Sequence, residues 1–256
     1  MTKNTPYLLA LAVATLAGCA PAPKLVKTET QSIHFKTTEN NTEKKEEVDY
    51  IAPYKKLIDA EMNAVLGTAD IAHVKDLPES TLGNLTCDLV QEQASIIYLA
   101  KYGRKIDIVM LNNGGLRASL PKGAITRGKL FELMPFENDI AVLTLSGEKT
   151  KELFDYVARN HGMPMAGIKL GIQDTIAKTI LINKVPFDET KTYTIATSDY
   201  LAAGGDKMKF FNKPLEYHLI GLKLRDAIIQ GVEAKTKEGK TLNYPKDGRI
   251  FYEKKL

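Results

Sequence analysis

A chain of 256 residues has room for one large domain or two small ones, and its 44% hydrophobic and 26% charged content is ordinary for a globular protein. The formal net charge of +4 is small and spread along the chain. A clustered basic face for general nucleic-acid binding is therefore not expected.

At the N-terminus, Lys3 precedes the apolar run Tyr7–Leu16, which is too short to span a bilayer as a helix. The run ends in Leu16-Ala17-Gly18-Cys19, which resembles the lipobox of bacterial lipoproteins. That resemblance implies cleavage before Cys19 and lipidation of its thiol. An ordinary secretory signal with an incidental cysteine is the alternative. The expected organisation is a signal peptide over 1–18, a lipidated Cys19 and flexible tether over 19–48, and a folded domain over 49–256. Thr37–Glu47 nearly lacks apolar side chains and cannot bury enough surface to offset its ordering entropy. A short strand near Ile33–Phe35 is the exception. Cys87 then has no partner for an intramolecular disulfide, and its apolar setting suits a buried structural thiol.

From Ile51 the apolar residues Tyr54, Leu57, Ile58, Met62, Val65 and Leu66 recur at helical spacing, with Gly67 as terminator. A second helix is expected from Asn84 to Tyr102, ending at Gly103. Ile106–Leu111 reads as a buried strand that runs into Asn112–Arg117. Ile140–Leu145 reads as another, after which Ser146 caps a helix through Arg159. Further strands are expected at Ile168–Ile172, Thr179–Ile182 and Thr192–Thr197, then a helix at Leu222–Ala234 and a strand at Arg249–Tyr252. Mixed helices and strands predict an α+β class, with mixed sheets in one compact domain.

The four histidines, His34, His73, His161 and His218, lie far apart and lack ligand-like spacing. No serine sits in a Gly-x-Ser-x-Gly elbow, and no phosphate-binding Gly-x-x-x-x-Gly-Lys loop is present. The informative segments are Asn112-Asn113-Gly114-Gly115-Leu116-Arg117, Met134-Pro135-Phe136-Glu137-Asn138 and Asp199–Asp206 with its Gly204-Gly205 pair. Glycine pairs allow tight turns and close approach to a ligand. Arg117 offers a forked donor to phosphate or carboxylate, or else a surface ion pair. Phe136 and Tyr200 are either core aromatics or stacking faces for a purine. Asp206 is a ribose-hydroxyl acceptor or a turn-forming aspartate.

From about Ile51 to Tyr252 the sequence resembles the C-terminal domain of 5′-nucleotidases and UDP-sugar hydrolases. The resemblance rests on Glu79-Ser80-Thr81-Leu82-Gly83-Asn84-Leu85, Asn112–Arg117, Pro135-Phe136, Ala166-Gly167-Ile168 and Tyr200–Asp206, in that order. It implies that Phe136 and Tyr200 sandwich the base and that Asn138 reaches the base edge. It further implies that Asp206 accepts the ribose hydroxyls and that Asn112 and Arg117 lie near ribose and phosphate. Three positions depart from the pattern. Tyr200 replaces the usual phenylalanine, Ala203 stands where asparagine is common, and Asp76 lies where an arginine is usual.

In the full-length family an N-terminal metallophosphoesterase domain carries two metals and the catalytic histidine, and this chain has no counterpart to it. The expected function is nucleotide recognition within a split 5′-nucleotidase, inactive alone, with divalent metals supplied by a separately encoded metallophosphoesterase. The alternative is a stand-alone nucleoside- or nucleotide-binding lipoprotein without catalysis. A structural lipoprotein with a decayed pocket is a third possibility. Either way the chain is expected in the cell envelope, anchored through Cys19 and facing the periplasm or exterior.

Overall fold

The structure, a computed structural model, describes residues 27–31 and 44–254. The chain divides into two units at Val48, the second being Asp49–Leu256. In the first, residues 27–31 carry neither helix nor strand. The expected signal peptide, Cys19, the strand near Ile33–Phe35, His34 and most of the tether lie outside the described residues.

Helix α1 spans Lys45–Met62, so it begins inside the expected tether and stops short of the expected end. Val65, Leu66 and Gly67 belong instead to strand β1 (Val65–Ala69), which pairs antiparallel with β3 (Gly123–Thr126). Gly67 is thus not a helix terminator. A Cβ there would lie 2.8 Å from Val232, so it marks a close approach within the core. None of the residues of α1 is buried, and Tyr50, Ile51, Tyr54, Leu57 and Ile58 are exposed. No helix among the described residues is long and apolar enough to cross a membrane.

A five-stranded sheet organises Asp49–Leu256. Its strands are β2 (Ile108–Met110), β4 (Asp139–Ser146), β5 (Met165–Ala166), β9 (Thr192–Ser198) and β10 (Glu216–Lys223), in the order β10-β4-β9-β2-β5. Only β2 and β9 run parallel; the other pairs are antiparallel. Both faces are covered. Ile140 and Val142 of β4 join the core beneath α2 (Thr81–Tyr102) and α6 (Leu224–Lys237). Ala141, Leu143 and Leu145 join a second core with α4 (Gly147–Arg159). Burial on both sides explains why Ile140–Leu143 of β4 reads as an apolar run without polar alternation. A four-stranded sheet, β11-β6-β7-β8, is formed by β11 (Ile250–Tyr252), β6 (Ile168–Gln173), β7 (Ile176–Ile182) and β8 (Val185–Pro186). The chain is thus α+β with mixed sheets, as its pattern of elements predicts.

Helix α2 starts before Asn84 because Ser80 caps it, accepting a bond from the Gly83 amide at 2.9 Å. It ends at Gly103, which takes the left-handed conformation with φ 69°. Buried Glu79 anchors this end of the helix. Its carboxylate accepts bonds from Asn84 Nδ2 at 2.7 Å, Asp247 N at 2.7 Å and Gly248 N at 2.9 Å. Cys87 on α2 is fully buried, and desolvation pushes its thiol well above the ordinary value. Leu222 lies in β10, and α6 begins only at Leu224. Sequence periodicity missed β10 because apolar residues stand on both its faces, Tyr217 and Leu219 exposed and Ile220 and Leu222 buried.

Ser146 caps α4 as expected, accepting from the Lys149 amide at 3.3 Å. Replacing it with alanine leaves a helix-end donor without that partner. Ser146→Ala should cost about 1 kcal/mol in urea denaturation, and Ser146→Gly only a few tenths. Equal losses for the two variants would remove the cap as the cause.

Candidate functional site

Sheet direction brings the three informative segments to one edge. Because β2 and β9 are parallel, both end at the same edge, where β2 leads to Asn112–Arg117 and β9 to α5 (Asp199–Ala202). Strand β4 is antiparallel to β9, with Ile140 opposite Ser198, so β4 begins at that edge. Its entry loop, Met134–Asn138, follows α3 (Arg127–Leu133). The N-terminus of α6 is there too, since Lys223 pairs opposite Asp139.

These segments enclose a cleft of about 380 Å³. All six side chains singled out in the sequence line it: Asn112, Arg117, Phe136, Asn138, Tyr200 and Asp206. Leu111, Met134 and Leu224 add apolar lining. Phe136 is 43% exposed and Tyr200 50% exposed, so neither is a core aromatic.

The turns depend on particular contacts. A Cβ on Gly115 would lie 2.5 Å from Asn112 Oδ1, and one on Gly205 would lie 2.6 Å from the Tyr200 ring. Glycine at those positions lets the polar side chain and the ring lie against backbone. The Arg117 amide donates to the Leu133 carbonyl at 2.8 Å, tying the first loop to α3. Beyond Gly204, with φ 90°, Asp206 and Lys207 adopt left-handed φ values of 51° and 64°.

Polar contacts fix the side chains. Asn112 Nδ2 donates to Asp206 Oδ2 at 2.6 Å, and the Tyr200 hydroxyl donates to Asp206 Oδ1 at 2.9 Å. Asn138 Nδ2 donates to Asp199 Oδ1 at 2.8 Å, which also accepts from the Tyr200 amide at 2.7 Å. Arg117 Nη1 donates to the Gly114 carbonyl at 3.2 Å, and its guanidinium lies 6.0 Å from the Phe136 ring centroid. Among the described residues Arg117 has no carboxylate partner within 4.0 Å, which leaves most of its donors open to the cleft.

Two supports were not legible in the sequence. Glu137 forms short ion pairs with Lys223 and Arg225, and the Arg225 guanidinium stacks 4.1 Å above Phe131. This clamps the Phe136 loop to the start of α6. Tyr156 of α4 donates its hydroxyl to the Asp206 carbonyl at 2.9 Å. The partners are 50 to 88 residues apart, and no local pattern signals such pairings.

The other motif segments lie outside this cleft. Glu79–Leu85 builds the helix end described above. Gly167, with φ 79°, approaches the Asp107 carbonyl so closely that a Cβ would lie 2.0 Å away. Asp76 pairs with Lys246. Among the described residues, no three His, Cys, Asp or Glu side chains converge in a way that could hold a metal ion. His73 is buried, which lowers its pKa; His161 is exposed; His218 packs 4.2 Å from the Tyr102 ring.

Residues 65–213 match the family model for the 5′-nucleotidase C-terminal domain. The chain belongs to that family. It is 29% identical over 244 residues to the trifunctional nucleotide phosphoesterase protein YfkN of Bacillus subtilis, covering 82% of this chain and 16% of that protein. It is 26% identical over 194 residues to a cell wall protein of Listeria monocytogenes, covering 69% of this chain and 24% of the relative. A crystal structure of a 5′-nucleotidase precursor from Thermus thermophilus shares its fold, with a TM-score of 0.68 and 22% identity over 81% of this chain and 43% of that one. This 5′-nucleotidase C-terminal domain chain therefore spans less than half the length of each of these proteins. The family match ends before α6, although the start of α6 anchors the Phe136 loop.

Hydrogen bonds from Lys223 and Arg225, helped by their charges, hold the Glu137 carboxyl down to about 2. A carboxyl depressed in the folded state contributes stability above its unfolded value and loses it as pH falls through the folded value. The clamp is thus intact above about pH 4.5 and is lost towards about pH 2. Amide exchange at Phe136–Asn138, corrected for its intrinsic pH dependence, should stay constant from pH 8 to 5. Glu137→Gln should speed it across that range. A wild-type change within that window would exclude Glu137 as the clamp.

Proposed function

We propose that this chain is the nucleotide-recognition part of a 5′-nucleotidase-type phosphohydrolase, holding base, ribose and phosphate while a separate metallophosphoesterase chain carries the catalytic centre. The observation that carries this reading is the convergence of Phe136, Tyr200, Asp206, Asn112 and Arg117 on one cleft. Two half-exposed rings offer stacking faces, worth about 1–3 kcal/mol per stacked base. Asp206 presents acceptors for ribose hydroxyls, and Asn138 supplies an amide at the base end. Arg117 supplies a forked donor for phosphate.

Divalent metals on the partner would activate water and neutralise charge on the phosphoryl group. This chain's share is positioning: it fixes the nucleoside so that the phosphate meets that centre in a defined orientation. Asp76 stands where the family commonly has an arginine, and among the described residues Arg117 is the cationic side chain that lines the cleft, which suits it to the phosphate. The cell wall protein among the relatives supports an extracytoplasmic location. Anchoring through a lipidated Cys19 would place the domain on the outer side of a membrane.

Calorimetry with the purified chain tests recognition. Adenosine and AMP should bind, and Phe136→Ala or Tyr200→Ala should weaken both by roughly 5- to 150-fold through loss of stacking. Arg117→Ala should weaken AMP by about tenfold, at the low end for a charge-assisted bond because the residue is exposed, and leave adenosine within about twofold. Equal losses for both ligands would refute a phosphate role. Metal-dependent phosphate release only after adding an envelope metallophosphoesterase would support the split enzyme. Tight binding with no such gain would point to a stand-alone binding lipoprotein.

A further inference from the structure

Asp206 is held at every one of its polar atoms, and tyrosine hydroxyls supply most of the hold. Its carbonyl accepts from the Tyr156 hydroxyl at 2.9 Å, and its Oδ1 accepts from the Tyr200 hydroxyl at 2.9 Å. Its own amide donates to the Tyr200 hydroxyl at 3.3 Å, and its Oδ2 accepts from Asn112 at 2.6 Å. The backbone it occupies has φ 51°, a left-handed region that residues other than glycine adopt infrequently. The Tyr200 ring closes the loop over Gly205, where any side chain would collide with it.

We propose that Tyr200 and Tyr156 are positioning residues for ribose recognition, with the Tyr200 hydroxyl linking the base-stacking ring to the ribose acceptor. The inference rests on the nucleotide-binding reading above. Its chemical content is separate from stacking. A carboxylate offers about four lone-pair directions over its two oxygens. Tyr200 and Asn112 use one on each oxygen, which leaves one on each for a vicinal diol. A cis-diol spans two carboxylate oxygens as a paired donor, whereas a sugar lacking those hydroxyls leaves both acceptors unanswered. The ligand class selected is therefore the ribonucleoside, and the two tyrosine hydroxyls keep the carboxylate aimed for it. Tyr156 stays a donor at neutral pH, because burial and the nearby Asp206 charge raise its pKa.

The test uses the full chain with adenine, adenosine and 2′,3′-dideoxyadenosine, each titrated against wild type, Tyr200→Phe and Tyr156→Phe. Phenylalanine keeps the ring and removes the hydroxyl. The preference for adenosine over the dideoxy analogue should fall by about 3- to 10-fold in each variant, as loss of one ordinary hydrogen bond implies. Adenine affinity should stay within about twofold. In the ligand-free protein, amide exchange at Gly204–Lys207 should quicken in both variants. An unchanged preference, a parallel loss of adenine affinity, or unchanged exchange at Gly204–Lys207 overturns the inference while leaving nucleotide binding in place. A wild-type chain that binds none of the three ligands overturns the nucleotide reading itself, and this inference with it.

Discussion

The cleft exists because of one pairing choice in the central sheet. Strands β2 and β9 lie side by side and parallel, and β4 runs antiparallel to β9. That arrangement sends two strand exits and one strand entry to the same edge. Reversing the direction of any of the three would carry its loop to the far side of the sheet. The register is strongly specified because both faces are buried. A one-residue slip of β4 would exchange Ile140 and Val142 for Ala141 and Leu143 between two cores of different shape. The geometry of the site is thus secured by hydrophobic packing well away from any ligand.

Packing sets the edge but leaves the loops to be fixed by polar contacts. Phe136 and Tyr200 are both about half exposed, so burial alone cannot orient them. The Phe136 loop is held through Glu137, clamped by Lys223 and Arg225, and through the Leu224 amide, which donates to the Asn138 carbonyl at 2.9 Å. The Tyr200 loop is held through Ser198, whose side chain accepts from the Leu201 amide at 3.1 Å, and through Asp206. Each ring is thus held from a different element of the domain. Such preorganisation lowers the ordering entropy that ligand binding would otherwise cost.

Much of this was legible in the sequence. The long helix ending at Gly103, the Ser146 cap and the apolar strands left local signals of propensity, capping and period. Asn112, Arg117, Tyr200 and Asp206 were legible because glycine pairs and neighbouring polar side chains follow strands, whereas the assignment of Asn138 came from the family resemblance. What escaped was non-local or ambiguous. Val65–Gly67 fits the helical period of the preceding residues, yet the chain leaves α1 because β1 can pair with β3 and pack against α6. The amphipathic pattern of α1 did foretell a helix, but not that its apolar side chains stay exposed. Tyr156 and Glu137 carry no local signal of their roles, since their partners sit on other elements.

The family motifs themselves divide by physical role. Glu79–Leu85 and Ala166–Ile168 satisfy backbone donors and allow close backbone approach, whereas Asn112–Arg117, Phe136 and Tyr200–Asp206 face the cleft. Sequence resemblance cannot separate these roles, because a buried Glu79 and a cleft Asp206 both belong to the segments that carry it. Glu79 joins α2 to Asp247 and Gly248 with two carboxylate oxygens and three N–H donors, and its burial puts it out of a ligand's reach. Asp206 is exposed and keeps acceptor capacity after its internal bonds are counted. Residual hydrogen-bonding capacity at an accessible position therefore separates a recognition residue from a scaffold residue of the same chemistry.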